Sequence, residues 1–138
     1  MNNVTILIVT REKNIVNLIR NICHNHNITE VNSSIKAFEL IGKQSFDMYL
    51  IDYRLPVISG IELLEEIKEL QRDKDYTGVL AITSGTSYIF KEEFKNGLFH
   101  FILEKPVSTD SFKRVMRNAM IRLNTLKATS LHEISSCA

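Results

Sequence analysis

Several stretches of this chain of 138 residues end in groups suited to phosphoryl chemistry. Asp52 closes the apolar run DMYLID. Thr83 closes GVLAIT and is followed by Ser84. Lys105 comes just after LFHFIL and precedes Pro106, and Thr10, Arg11 and Glu12 come directly after VTILIV. A carboxylate can attack phosphorus as a nucleophile. A hydroxyl can donate to a phosphoryl oxygen, and an ammonium can balance the added charge. Taken singly, each is an ordinary polar residue at the end of an apolar run. Their joint placement is what carries information.

That placement depends on the elements. VTILIV (4–9) is apolar without alternation, as in a strand buried on both faces. Residues 13–25 put Ile15, Val16, Ile19, Ile22 and Cys23 on one helical stripe. ITEVN (28–32) reads as a shorter, more polar strand. Ser33 or Ser34 caps a helix to about Lys43, with Ala37, Phe38 and Ile41 inward. DMYLID (47–52) is the third strand, and Pro56 and Gly60 break the chain after it. A helix over 60–70 turns Ile61, Leu64 and Ile67 inward. Strand 78–83, loop 84–87, a weaker helix over 88–96 with Phe90 and Phe94, and strand 98–103 follow. Ser108, Thr109 and Asp110 supply a cap. The last helix runs to about Lys127, with Phe112, Val115, Met116, Ala119, Leu123 and Leu126 at helical spacing.

Strand and helix alternate five times, which predicts an α/β fold with a parallel sheet and helices on both faces. Right-handed crossovers and the size select a doubly wound, flavodoxin-like sheet of order 2-1-3-4-5. In such a sheet the site lies beyond the carboxyl ends of the strands. Those ends carry Thr10, Arg11, Glu12, Asp52, Thr83, Ser84 and Lys105.

The length suits one domain, residues 1–127, with a frayed tail over 128–138. A net charge of +1 gives no electrostatic reason to expect a nucleic acid or membrane partner. Cys23 and Cys137 form no metal or redox spacing, and His24, His26, His100 and His132 show none either. No apolar run is long enough for a signal peptide core or a membrane span, so a cytoplasmic location is expected. No glycine-rich phosphate loop follows the first strand, which leaves nucleotide binding unsupported.

The segment YLIDYRLPVISGIELLEEIK, with Asp52, Leu55, Pro56 and Gly60, resembles the signature of response regulator receiver domains. VLAITSG, with Thr83, and ILEKPVSTDSF, with Lys105 and Pro106, resemble that family's later strands, and the likeness covers about residues 4–125. The resemblance implies that Asp52 accepts phosphate from a sensor histidine kinase or phosphotransfer protein. It implies that Thr83 is the switch hydroxyl with Ser84 beside it, and that Lys105 contacts phosphate. It further implies a cis Lys105–Pro106 bond, the Arg54 carbonyl as a metal ligand, and a signalling role without enzymatic activity. A downstream protein would bind the face of the last strand and helix, and the last helix could also support a homodimer.

Two departures stand out. The family places an acidic pair after the first strand, where this chain has Thr10 and Arg11, leaving Glu12. Mg²⁺ wants oxygen ligands, commonly one or two carboxylates with water and phosphate. Its binding here is expected to be weak or absent, with Asp52, Glu12 and the Arg54 carbonyl as remaining ligands. If Arg11 turns inward and pairs with Asp52, the domain is a phosphate-independent pseudo-receiver that acts by protein–protein contact. If Arg11 turns to solvent, a weak metal and slow phosphorylation survive. The second departure is Ile102, which stands where the family has an aromatic residue three before the lysine. Phe99, His100 and Phe101 nearby suit either a partner surface or core packing. An aspartate-nucleophile phosphatase would need an acid two residues after Asp52, and Arg54 is there instead.

Overall fold

A computed structural model gives the fold; it describes the backbone of residues 3–137 and the side chains of residues 3–126. Five parallel strands are β1 (Thr5–Val9), β2 (Asn27–Val31), β3 (Met48–Asp52), β4 (Thr77–Thr83) and β5 (Phe101–Lys105). They lie in the order β2-β1-β3-β4-β5, as the alternation of elements predicts. The helices are α1 (Lys13–Ile22), α2 (Ser34–Ile41), α3 (Gly60–Leu70), α4 (Lys91–Lys95) and α5 (Thr109–Cys137).

The two-residue period of each strand divides the core in two. Ile6, Ile8, Met48, Leu50, Val79, Ala81 and Leu103 pack with Ile15, Val16 and Ile19 of α1 and Phe112, Val115 and Met116 of α5. Leu7, Val9, Tyr49, Ile51, Leu80 and Ile82 pack with Ala37 of α2 and Leu63, Leu64 and Ile67 of α3. Each fully buried Ile or Leu contributes roughly 1.5–3 kcal/mol. The three central strands are therefore a rigid base for whatever stands at their ends.

Caps set where the helices begin. Ser33 Oγ accepts from the Lys36 amide, and Ser59 Oγ accepts from the Glu62 amide. At α5, Ser108 and Ser111 each accept the other's backbone N–H, a reciprocal cap built from two serines.

Three local readings change. Phe38 is 42% exposed, because the short α2 turns Ala37 and Ile41 to the sheet and leaves Phe38 outside that stripe. The weaker helix over 88–96 splits into a 3-10 turn, Ser87–Phe90, followed by the short α4. β5 begins at Phe101 rather than at 98. Leu98 and Phe99 are buried before the ladder starts, so the apolar run spans a turn as well as a strand. The tail expected at 128–138 lies outside the residues with described side chains; the backbone of α5 is helical to Cys137.

Candidate functional site

The strand period also aims the site residues. Asp52 continues the face of Met48 and Leu50, and its register partner on β4 is Ala81. Thr83 pairs with Lys105 two positions further on, so all three side chains start from the same face of the sheet. Thr10, two residues beyond Ile8, continues that face from β1.

Asp52 is 3% exposed, and both of its oxygens are occupied. Oδ2 accepts from Thr10 Oγ1 at 3.1 Å and from Lys105 Nζ at 2.7 Å. Oδ1 accepts from the Arg54 backbone N–H at 3.1 Å. Lys105 also forms an ion pair with Glu12 Oε2. The Glu12 backbone N–H donates to Thr10 Oγ1, so the turn after β1 is tied to Asp52 through one hydroxyl. Burial alone would lower the Lys105 pKa. The hydrogen bonds and charges of Asp52 and Glu12 outweigh it and hold the ammonium above its ordinary value.

The loop after Asp52 is braced in two places. The Ile58 N–H donates to the Pro56 carbonyl at 2.9 Å across Val57, whose φ is 73°. This is a γ-turn of the rare positive-φ kind. Ser34 Oγ donates to that same carbonyl at 2.7 Å and accepts from the Ile58 N–H at 3.2 Å. Thus Ser33 caps α2, while Ser34 clasps the loop. A Cβ at Gly60 would stand 2.4 Å from the Asp52 carbonyl oxygen and 2.7 Å from the Tyr53 Cα, so glycine is required for α3 to start this close to the site.

The structure brings Thr10, Glu12, Asp52 and Lys105 together, and it confirms the cis Lys105–Pro106 bond. Thr83 is exposed, its backbone carbonyl taken by Thr86, and Ser84 Oγ turns away to Glu104 Oε2 at 3.3 Å. Arg11 does not enter the site. It is exposed, and among the ion pairs of the described residues Asp52 is held by Lys105 instead. The inward alternative for Arg11 is thereby corrected, and the strand period gives the reason. Thr10 follows Ile8 toward Asp52, whereas Arg11 follows Val9 toward α2. The residues that sequence reasoning missed are Ser34 and Val57; a lone serine beside a capping serine, and a valine after Pro56, carry no pattern that reveals the clasp.

Among the described residues there is no group of three or more His, Cys, Asp or Glu side chains that could hold a metal. Two carboxylates, Asp52 and Glu12, do converge on one ammonium. Together with the Arg54 carbonyl that the family resemblance implies as a ligand, they fit a hard divalent cation in ligand type, though the cation would compete with Lys105 for both carboxylates. Cys23 is 2% exposed, and burial pushes its thiol up to about 11, which makes it an inert core residue.

A family model described as "Response regulator receiver domain" matches residues 6–117. The two-component response regulator ORR5 of Oryza sativa subsp. japonica is 32% identical over 89 residues, which is 64% of this chain and 66% of that protein. This chain therefore spans just under two thirds of that relative's length. A receiver domain protein from Clostridium thermocellum superposes with a TM-score of 0.74 at 22% identity, covering 88% of this chain and 98% of that one. A structure titled as an adenylate cyclase from Rhodopirellula baltica superposes with a TM-score of 0.81 at 20% identity, covering 99% of each chain. At such identities the superpositions establish a shared fold.

Proposed function

The chain belongs to the response regulator receiver family, and from that premise we propose that Asp52 takes up a phosphoryl group from a histidine kinase or phosphotransfer protein, at a site with weak metal assistance. The observation that carries this reading is the contact of Lys105 Nζ with Asp52 Oδ2 at 2.7 Å, with Arg11 left outside. An Asp52 oxygen attacks phosphorus, the P–N bond to the donor imidazole breaks, and the imidazole leaves with the electron pair and takes up a proton. Lys105 then exchanges a carboxylate contact for a phosphoryl contact. Thr10 and the Arg54 N–H hold the carboxylate in position before attack. A divalent cation, held by Asp52, Glu12 and the Arg54 carbonyl, would supply charge neutralisation for the incoming phosphoryl oxygens.

A protein partner follows from the family. An apolar groove of about 410 Å³ lies between α4 and β5, lined by Tyr88, Phe90, Phe94 and Ile102. Tyr88, Ile89 and Phe94 are exposed around it, which suits a downstream protein on this face. Ile102, in place of an aromatic residue, lines this groove and supplies no hydroxyl or ring to couple it to Thr83. Arg54 stands where an aspartate-nucleophile phosphatase needs its acid, which favours a signalling role over an enzymatic one. No helix among the described residues is long and apolar enough to cross a membrane.

The second reading, a phosphate-independent interaction domain, is favoured by the full set of donors already on Asp52. The two separate in one experiment. With a small phosphodonor and saturating Mg²⁺, intact mass is expected to show a partial gain of one phosphoryl group, absent in Asp52→Asn. An unchanged mass across the whole Mg²⁺ range establishes the pseudo-receiver instead.

A further inference from the structure

The residue displaced from the site has a place of its own. Arg11 lines a cleft of about 260 Å³ at the edge formed by β1, β2 and α2, together with Thr10, Lys13, Glu30, Asn32 and Lys36. The charges of this cleft do not balance. Glu30 is its single carboxylate, and it is already shared by Lys13 at 3.4 Å and by Arg20, from outside the cleft, at 3.0 Å. Those two cations hold Glu30 below its ordinary pKa against the upward pull of burial, so it stays ionised and occupied. Among the described residues, Arg11 and Lys36 have no ion-pair partner, and both are exposed. Asp52 and Glu12 are close in sequence and space but are engaged with Lys105 on the other side of Thr10.

We propose that this cleft is a binding site for a phosphate-type oxyanion, a phosphomonoester or diphosphate group of a small molecule, held by Arg11 and Lys36. A guanidinium offers two parallel donors to such a group, and an ammonium adds a point charge. Asn32 adds a side-chain amide at the rim. The small volume and the uncompensated charge fit a compact oxyanion better than an extended acidic chain, which would make most of its contacts outside the cleft.

The cleft is wired to Asp52. Thr10 forms part of its wall and donates to Asp52 Oδ2, and the turn that carries Arg11 is closed by the Glu12 N–H on Thr10 Oγ1. An anion that orders Arg11 therefore also orders the hydroxyl that holds the carboxylate. Occupancy of the cleft and the state of Asp52 are coupled, and the coupling is reciprocal. The site itself does not depend on Asp52 being phosphorylated.

The test is a titration of the whole chain with inorganic pyrophosphate and, separately, inorganic phosphate, followed by amide chemical shifts at matched ionic strength in chloride. Saturable shifts at residues 10, 11, 13, 32 and 36 are expected. Arg11→Gln with Lys36→Gln, both surface changes, is expected to weaken binding by about tenfold or more. Asp52→Asn is expected to bind the probe still, which separates this site from the phosphoacceptor reading. Shifts that do not saturate, or that chloride reproduces, overturn the proposal as simple screening. Undiminished binding by the double variant overturns it as well. A glutamate-rich peptide that shifts these residues where pyrophosphate does not would replace it with a protein-docking surface.

Discussion

Asp52 is firmly held: two side-chain donors and one backbone donor engage both of its oxygens. Thr10 is the departure that carries most weight in the proposed reading: its hydroxyl donates to Asp52 where the family resemblance implies a carboxylate, so it acts as a clamp rather than as a metal ligand. Restoring charge should reverse this. Thr10→Asp with Arg11→Asp returns two carboxylates to the turn after β1 and removes one cation. Mg²⁺ affinity is expected to rise by about tenfold or more, roughly 1.4 kcal/mol, in a calorimetric titration. No gain would show that the turn cannot aim carboxylates at Asp52. At this scale the sequence was only partly legible. The residue types at 10, 11, 12, 52 and 105 were plain from the chain. The pairing of Lys105 with Glu12 as well as Asp52 was not, because a contact between residues from opposite edges of the crevice leaves no local pattern.

At the scale of elements, the central strands were legible because their apolar runs are unbroken, and β1, β3 and β4 fall within a residue of the expected bounds. The strand period, carried two residues past Val9, also aims Arg11 away from Asp52. β5 was displaced because Leu98 and Phe99 are apolar for the sake of a buried turn. The loop from Asp52 to Gly60 was the least legible element. Its γ-turn forces Val57, a β-branched residue, to a φ of 73°, and leaves the side chain 80% exposed. Such a backbone costs an L-residue roughly 1–2 kcal/mol, and exposure provides no packing to offset it. Glycine, with no Cβ, adopts a positive φ without that strain. Val57→Gly is therefore expected to stabilise the fold by about 1 kcal/mol in urea denaturation, once the greater freedom of glycine in the unfolded chain is subtracted. A loss of stability would mean that Val57 makes a contact that outweighs its strain.

On the scale of the whole molecule, the two ends of the sheet have different tasks. The carboxyl ends carry Asp52 and its partners, and the opposite end ties β4, β5 and α5 together through His100. Its Nδ1 accepts from the Gly78 N–H at 2.9 Å, its Nε2 is 2.8 Å from Arg122 Nη2, and its ring meets Tyr76 edge-on at 5.6 Å. With Phe99 buried at 1% beside it, this segment serves core packing rather than a partner surface. Burial, then the charges of Arg122 and Lys68, push His100 down to about 4 from an ordinary 6.5. Between those two values the unfolded chain binds a proton that the folded chain refuses. Stability therefore rises with pH across that window, is fully present above about 6.5, and is lost as pH falls toward 4. Discounted for solvent that reaches the ring, the loss amounts to about 2 kcal/mol. Urea midpoints measured from pH 7 to pH 4 are expected to fall more steeply for the native chain than for His100→Asn, which lacks the titrating ring. Equal slopes would show that a carboxylate such as Glu30, rather than this histidine, sets the acid limit of the fold.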